Sequence, residues 1–483
     1  MALALVTVAG AAVRLAGITT PAGLVFDEIF YARNACRFVI DTAQCGIDDL
    51  VSGAHPPLGN WLIGIGIRLF GYDEFGWRIA SAAAGTLAIA LLYLLVRRLL
   101  ARHVPAPAAT VGATAAAALL ATDFLHLVQS RVAMLDSFVT LFVVAAVLFV
   151  MLDGGRRRGP RGDDLDAARW LRRVSLGRPW RLAAGLALGA AVAVKWSGGY
   201  VAVGLVVLLV AWEIAAARGV DDGRSGAGNA FGRAMRRELL PSLVLLGLVP
   251  VVIYVASYAG RVEGGLLALP WRGGSAWREI GEHQLAMLRF HLGLAGDHPY
   301  ESAPWSWLLL KRPVAYSFMD GTGGYREVLA IGNPLTWWSG AVALVAVTVR
   351  WIRAGAQLAR PEVVLLAAAL STYLPWLVLS GSRSQVFIWY LLPTIPFLYG
   401  VLGLLAALAW RSTVGRITTG LAVAAVAASF VFFYPVLTAA PLSPDDWRSR
   451  IWFTDCSRPG APTLTLPDDE INQGPPPSGW CWI

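Results

Sequence analysis

Apolar runs of about 18 or more residues recur along the chain, and they constrain its fold more than any other feature. One run covers 199–217 and another covers 387–409. A helix of this length crosses the ~30 Å hydrocarbon core of a bilayer. Only 15% of the residues are charged, against roughly a quarter in soluble domains. The sequence therefore predicts an all-α polytopic membrane protein, because the ~10-residue alternating strands of a membrane barrel are absent.

Eleven runs are predicted as membrane spans. The first begins at Met1 without a basic region before it, and no small-residue cleavage site follows it, so it is interpreted as a span and not as a signal peptide. The predicted spans lie near 1–18, 77–96, 107–123, 133–152, 181–197, 199–217, 239–258, 334–352, 361–380, 387–409 and 416–437.

Arginine is concentrated in alternate loops. Most of the 40 Lys and Arg residues lie in or beside loops 97–106, 153–180, 218–238, 353–360 and 410–415. Short loops rich in Lys and Arg stay in the cytosol, so the N-terminus is predicted inside and the C-terminus outside. The outer segments are then 19–76, 259–333, 381–386 and 438–483.

All four cysteines fall on the predicted outer side, at Cys36, Cys45, Cys456 and Cys481. An oxidising outer compartment favours disulfides. Local pairing, Cys36–Cys45 and Cys456–Cys481, is the simplest of the three connectivities that four cysteines allow. Four free thiols are the alternative.

The inner loops carry no motif that requires a cofactor. Asp164-Leu-Asp166 has the D-x-D form that metal- and nucleotide-dependent glycosyltransferases use, but arginines flank it and no nucleotide-binding pattern accompanies it. It is interpreted as a charge-balanced linker. Walker, H-E-x-x-H and C-x-x-C patterns are absent from the sequence. Neither a cofactor nor a metal is expected.

Ionisable and polar residues cluster at the predicted outer ends of spans. Such groups are costly at membrane depth and mark candidate functional sites, although snorkelling or structural pairing explains many of them. Cations that approach one face from several spans suit a phosphate group, to whose oxygens they donate charge-assisted hydrogen bonds. The cluster comprises Arg14, Asp27, Glu28, His55, Arg78, Asp123, His126, Arg131, Asp136, Lys195 and Arg383.

Carboxylates among these cations suit the transfer of a sugar from a lipid phosphate. The departing phosphate gains negative charge, which Arg and Lys stabilise. A carboxylate can accept the proton of the attacking alcohol as general base. The adjacent pair Asp27 and Glu28 lies at the outer end of the first apolar run and is the candidate for this role.

Several stretches, in this order along the chain, resemble the protein O-mannosyltransferases, and most closely their actinobacterial branch. They are RLAGITTPAGLVFDEIFYARNA (14–35), HPPLGNWLIGIGIRLFG (55–71), GWRIASAAAG (76–85), LLATDFLHLVQSRVAMLDSF (119–138), GLALGAAVAVKWSGGY (185–200), PWSWLLLKRPVAY (304–316), AIGNPLTWW (330–338) and WYLLPTIPF (389–397).

The resemblance implies the membrane-embedded glycosyltransferase fold called GT-C, with eleven spans, over residues 1–437, and an extracytoplasmic tail at 438–483. It implies transfer of mannose from polyprenyl-phosphate mannose to Ser or Thr of a secreted polypeptide, with inversion at the anomeric carbon. The expected location is the plasma membrane, with the active site on its extracytoplasmic face. Association with the export machinery is a further expectation.

The resemblance also implies residue roles. Asp27 matches the catalytic carboxylate, and Glu28 matches its partner, which either holds peptide backbone or tunes Asp27. Arg78 and Lys195 match positions that face the donor phosphate. Arg383 is a further phosphate candidate, and Arg14 is expected to contribute to the site or to pin the loop.

The remaining candidates keep alternative interpretations. His55 either fixes the turn made by Pro56 and Pro57, from which a short amphipathic helix would run along the membrane surface, or contacts substrate. Arg131 and Asp136 are interpreted as a structural ion pair or as site residues. No role is assigned to Asp123 or His126 from the sequence. Trp305, Trp307 and Tyr316 line a peptide groove or belong to an interfacial aromatic belt.

Two other functions remain as alternatives. A GT-C enzyme acting on lipid or cell-wall polysaccharide, with an arabinose-type donor, would need a similar set of charges. A lipid transporter or flippase also gathers charges within a membrane, but transporters usually carry inverted repeats. No repeat is visible in this sequence.

Overall fold

The protein is mostly helical in its computed structural model. The structure describes residues 1–40, 45, 53–153, 178–220, 239–259, 261–262, 265–266, 276–294, 300–321, 323–380 and 385–452.

Sixteen helices and two short antiparallel hairpins make up the described part. The helices are α1 (Ala2–Leu15), α2 (Glu28–Val39), α3 (Leu58–Phe70), α4 (Glu74–Leu100), α5 (Ala106–Ala121), α6 (Phe124–Arg131), α7 (Leu135–Asp153), α8 (Pro179–Val194), α9 (Tyr200–Val220), α10 (Leu240–Ala256), α11 (Ala276–Gly293), α12 (Pro334–Arg353), α13 (Pro361–Leu379), α14 (Ile395–Ala409), α15 (Thr413–Leu437) and α16 (Pro444–Arg448). The strands are β1 (Arg261–Val262), β2 (Gly265–Leu266), β3 (Val314–Gly321) and β4 (Gly324–Ala330), and 3₁₀ turns cover Trp196–Gly199, Pro304–Leu309 and Ile388–Thr394.

Seven helical segments within the described residues are long and apolar enough to cross a membrane. The pair α5 and α6, bent by 57° at its break, makes an eighth if it is one span. The predicted spans in α1, α8 and α10 are shorter apolar helices. The all-helical membrane class is therefore confirmed, and each predicted span overlaps a helix. The count of eleven and the orientation stay predictions.

Polar residues set the ends of the span formed by α4. The Asp73 side chain caps its first turn by accepting a hydrogen bond from the amide of Gly76 at 2.7 Å. Arg97 and Arg98 lie in its last turn, where positive charge complements the helix dipole. The helix therefore begins three residues before the predicted span, because the cap at Asp73 sets its start and the first turn, with Glu74 and Gly76, is less apolar than the run that follows.

Two glycines let α8 pack closely against α10. A Cβ added at Gly185 would lie 1.8 Å from the carbonyl oxygen of Leu245, and one at Gly189 would lie 2.6 Å from Cβ of Ile253. Only glycine permits this approach of two backbones, which is typical of membrane helix pairs.

Two elements between spans position the candidate site. The loop after α1 leads into α2, whose Cys36 forms a disulfide with Cys45. The β3–β4 hairpin contains an irregularity at Tyr316, because Ala315 pairs with Leu329 and Ser317 pairs with Val328. A bulge of this kind bends a strand and redirects a side chain.

Candidate active site

Asp27 lies immediately before α2 and is only partly exposed. The Tyr31 hydroxyl, one helical turn later, donates a hydrogen bond to Oδ2 of Asp27 at 3.4 Å. The pKa of Asp27 is raised to about 6, chiefly by burial; the charge of Lys195 and the Tyr31 hydrogen bond lower the pKa, and the charge of Asp136 adds to the rise. Asp27 is therefore a recessed carboxylate whose pKa suits a base near neutral pH.

Lys195 lies at the break between α8 and the following 3₁₀ turn, and its charge acts on Asp27. Its Nζ donates to both carboxylate oxygens of Asp136, at 3.0 and 2.9 Å. The same Nζ lies 4.5 Å from the centroid of the Tyr390 ring. An ammonium has three N–H donors, so the two bonds to Asp136 leave one donor for a ligand.

The predicted ion pair of Arg131 with Asp136 is wrong, because Asp136 pairs with Lys195 instead. Arg131 ends α6, and its guanidinium donates to backbone carbonyls at the end of α1, including that of Gly17 at 2.7 Å. The chain turns between α6 and α7, so five residues of sequence separation do not bring the two side chains together.

Glu28 is fully buried. It forms an ion pair with Arg78, in which Nε donates to Oε1 and Nη2 donates to Oε2, both at 2.9 Å. The amides of Val25 and Ala133 also donate to this carboxylate, each at 2.8 Å. Both side chains of the ion pair are 0% exposed. Glu28 therefore holds the loop before Asp27 against the turn between α6 and α7.

The prediction that Arg78 faces a phosphate is contradicted by its hydrogen bonds. Two of its N–H groups donate to Glu28, and the others donate to the carbonyl oxygens of Ile18, Pro21 and Gly23 at 3.0, 2.8 and 2.9 Å. A guanidinium has five N–H donors, so none is left for a ligand in this structure. Arg78 is a positioning residue for the loop.

Arg14 holds α1 against the bent pair of helices, because its guanidinium donates to the carbonyl oxygens of Ala121 and Leu120 at 3.3 and 3.4 Å. Its Nη1 donates to the carbonyl of Gly10 at 2.9 Å, and its Nη2 contacts Nδ1 of His126 at 2.6 Å. Asp123 accepts from the amide of His126 and from the indole of Trp337, both at 2.8 Å, and from the hydroxyl of Tyr399. Arg14, Asp123 and His126 thus form a buried structural network.

His55 lies at the rim of the site. Its ring centroid is 6.0 Å from that of Tyr31 and 5.6 Å from that of His291. His291 belongs to α11, and its Nε2 lies 2.9 Å from the carbonyl oxygen of Ala54. The helix predicted after the two prolines is α3, which begins at Leu58. The choice between a turn-fixing and a substrate-contacting role for His55 stays open.

Sequence reasoning named Tyr316 but missed the other aromatic residues near Asp27, which are Phe26, Tyr31 and Tyr390. Tyr31 and Tyr390 lie beside Asp27 and Lys195, and Phe26 stacks on Tyr316. The spacing of Tyr31 four residues after Asp27, within one helical turn, was the available signal. Trp307 and Tyr316 are 0% exposed, which excludes an open peptide groove for both in this structure, whereas Trp305 is 62% exposed.

Three earlier predictions lie outside the described residues. They concern Arg383, the Cys456–Cys481 disulfide and the Asp164–Asp166 linker.

Two family profiles together match nearly the whole chain. Residues 4–261 match "Dolichyl-phosphate-mannose-protein mannosyltransferase", and residues 276–456 match "C-terminal four TMM region of protein-O-mannosyltransferase".

One curated relative is the polyprenol-phosphate-mannose–protein mannosyltransferase of Mycobacterium tuberculosis. The two sequences are 33% identical over 90% of this chain and 87% of the relative. Among solved structures, the fold is similar to that of the Saccharomyces cerevisiae protein O-mannosyltransferase Pmt1-Pmt2 complex bound to the sugar donor. The TM-score is 0.70 at 16% identity, over 94% of this chain and 92% of that chain. ArnT from Cupriavidus metallidurans bound to undecaprenyl phosphate matches with a TM-score of 0.52 at 18% identity, over 90% and 64% of the two chains.

Proposed function

The chain belongs to the protein O-mannosyltransferase family, and we propose that it transfers mannose from a polyprenyl-phosphate donor to Ser or Thr hydroxyls of exported proteins. The observation that carries the mechanism is the recessed Asp27 within the electrostatic reach of the Lys195–Asp136 pair. Asp27 can then act as base toward the attacking hydroxyl, and the Lys195 cation can stabilise the leaving phosphate.

Asp27 acts as the general base. The acceptor hydroxyl oxygen bonds to C1 of mannose from the face opposite the phosphate, and the C1–O bond to the phosphate breaks. The phosphate leaves with the electron pair, and the hydroxyl proton passes to the Asp27 carboxylate. One displacement at C1 inverts its configuration.

Lys195 stabilises the departing phosphate. Its remaining N–H donor and its charge are suited to a phosphate oxygen that becomes more negative as the bond breaks. Asp136 fixes the ammonium through two hydrogen bonds, so the cation is positioned before the donor binds.

The Lys195→Met variant is expected to lower kcat/KM for the donor by about 10²–10³-fold, the range for loss of one preorganised electrostatic contact. Lys195→Arg keeps the charge and should retain more activity. Lys311→Met, at the only other lysine of the chain, is the matched control and should be unchanged. The measurement is initial-rate kinetics with varied donor concentration.

Removing Lys195 also leaves Asp136 unpaired, so a second variant separates the two effects. In the double variant Lys195→Met/Asp136→Asn no buried charge is left without a partner. If Lys195 contacts phosphate, kcat/KM for the donor should still be low in this variant. Recovery of wild-type kcat/KM in the double variant would contradict the phosphate role.

Activity is expected to fall as pH falls through about 6, because burial raises the pKa of Asp27 to about 6. The base is ionised above this value and protonated below it, so kcat/KM should drop about tenfold per pH unit on the acid side. Tyr31→Phe removes the hydrogen bond that lowers this pKa, so its acid limb should move to higher pH. A flat profile from about pH 5 to pH 7.5 would count against Asp27 as the base.

The reaction takes place on the extracytoplasmic face of the plasma membrane in this proposal. The Cys36–Cys45 disulfide lies in the same segment between spans, 19–76, as Asp27, and disulfides persist in oxidising compartments. The arginine distribution supports the same orientation. Association with the export machinery, which would present unfolded acceptors, is part of the proposal.

The proposed function is tested in cells by deleting the gene, complementing the deletion, and comparing the mannosylation of secreted proteins in the two strains. The wild-type chain should restore mannosylated Ser and Thr peptides in the secreted fraction, read by mass spectrometry. Unchanged protein glycosylation together with altered lipid or cell-wall polysaccharide would favour the alternative acceptors.

A further inference from the structure

The residue before the proposed base has a backbone conformation that side chains rarely adopt. Phe26 has φ +52°, and Asp27 follows with φ −70° and ψ −1°. The amide of Glu28 donates to the carbonyl of Val25 at 3.0 Å and closes a four-residue turn. A positive φ at the first central position is the mark of primed turns, where glycine is the usual residue. Here the position holds Phe26.

An aromatic clamp surrounds the Phe26 side chain. Its ring lies parallel to that of Tyr316, with centroids 4.1 Å apart and an interplanar angle of 7°. The ring of Trp389 meets it edge-on at 5.3 Å and 85°. We use "aromatic clamp" for Tyr316 and Trp389. Such ring contacts add stabilising free energy to that gained by burying the apolar surface of the rings.

The clamp is itself fixed by three separate elements. Tyr316 is the bulge residue of β3, and its hydroxyl accepts a hydrogen bond from the side-chain amide of Gln129 in α6. Trp389 lies in the 3₁₀ turn Ile388–Thr394 and stacks on Phe387 with centroids 4.3 Å apart. The ring of Phe26 therefore packs on side chains that are held by contacts outside its own loop.

From this geometry we propose that Phe26 is a positioning residue, which holds the turn in its left-handed conformation and thereby aims the Asp27 carboxylate at the acceptor hydroxyl. The inference rests on the proposed function for the role of Asp27. Unfavourable backbone conformations persist only where surrounding contacts over-determine them, and they concentrate at functional sites. Small displacements of a reacting group cost much rate, about 10²-fold for 1 Å.

Three substitutions of Phe26 test this role. Phe26→Leu keeps an apolar side chain but removes the ring, and Phe26→Gly removes the ring while accepting the positive φ without penalty. Both should lower kcat at least about tenfold, with the donor KM within about threefold of wild type. Phe26→Tyr keeps the ring and should retain kcat within about threefold.

Phe26→Gly separates positioning from stability, because it relieves the backbone while it removes the clamp contact. We expect folded protein with low kcat and an acid limb shifted to lower pH, since water reaches a less confined Asp27 and the pKa of that carboxylate moves toward its ordinary value. Wild-type kcat and an unshifted acid limb in Phe26→Gly or Phe26→Leu would overturn the proposal, as would loss of kcat in a folded Phe26→Tyr. Absence of mannose transfer by the wild-type enzyme would instead overturn the proposed function.

Discussion

Asp27→Asn is expected to lower kcat by about 10²–10⁴-fold, the range for loss of a general base. Asparagine has nearly the same shape as aspartate but cannot accept the hydroxyl proton. Asp27 lies in a partly exposed loop position with one hydrogen bond from Tyr31, so the substitution should leave the fold intact. The measurement is single-turnover transfer with bound donor, which isolates the chemical step from donor binding.

The matched control is Asp320→Asn. Asp320 is an exposed carboxylate in β3, and its substitution should leave both kcat and donor binding at wild-type values. If Asp27→Asn kept kcat within tenfold of wild type, the hydroxyl proton would have to go elsewhere and the assignment of the base would fall.

Arg78→Ala is expected to lower the free energy of unfolding by about 3–5 kcal/mol, as breaking a buried ion pair leaves the partner charge uncompensated. It also removes donors from the carbonyls of Ile18, Pro21 and Gly23. Arg78→Lys keeps the charge, but lysine has three donors in place of five and no planar guanidinium. Its free energy of unfolding should therefore also fall, but by less than that of Arg78→Ala. Thermal and denaturant unfolding in detergent measure both variants.

Two further variants make this prediction specific. Arg78→Ala combined with Glu28→Ala should be less damaging than the sum of the two single substitutions, because no buried charge remains unpaired. Arg278→Ala breaks an exposed pair with Glu282 and should leave unfolding unchanged. A stable Arg78→Ala protein with a raised donor KM would instead support the phosphate contact predicted from the sequence.

The membrane class could be predicted, and a candidate for the base could be singled out, because both depend on local sequence. Run length decides whether a helix can cross a bilayer, and Asp27-Glu28 stands out as two carboxylates at the end of an apolar run. The Cys36–Cys45 disulfide is likewise a local pair, nine residues apart.

The partners of the charged residues could not be predicted in the same way. Arg78 and Arg131 bind backbone carbonyls, and carbonyls carry no signal in a sequence. Asp136 pairs with Lys195, 59 residues away, because two helices bring the residues together. Sequence proximity favoured Arg131 as the partner, and the turn between α6 and α7 prevents that pair.

The contacts of Phe26 with the aromatic clamp could not be predicted either, because they also join residues that are distant in the chain. Phe26, Tyr316 and Trp389 come from a loop, a hairpin and a 3₁₀ turn that are distant in the chain. The bulge at Tyr316 shifts the register of β3 against β4 by one residue. The pattern of apolar residues does not predict this shift. The positive φ of Phe26 is equally unmarked in the sequence, because position 26 does not hold the glycine that would signal it.

The central claim is tested most directly with the purified protein, polyprenyl-phosphate mannose and a peptide rich in Ser and Thr, with product peptides read by mass spectrometry and the anomeric configuration of the added sugar read by NMR. The account predicts that the wild-type protein adds a hexose to Ser or Thr, that the linkage is inverted relative to the donor, and that Asp27→Asn adds none at a matched time. A folded wild-type protein that binds the donor but leaves the peptide unmodified would contradict the account.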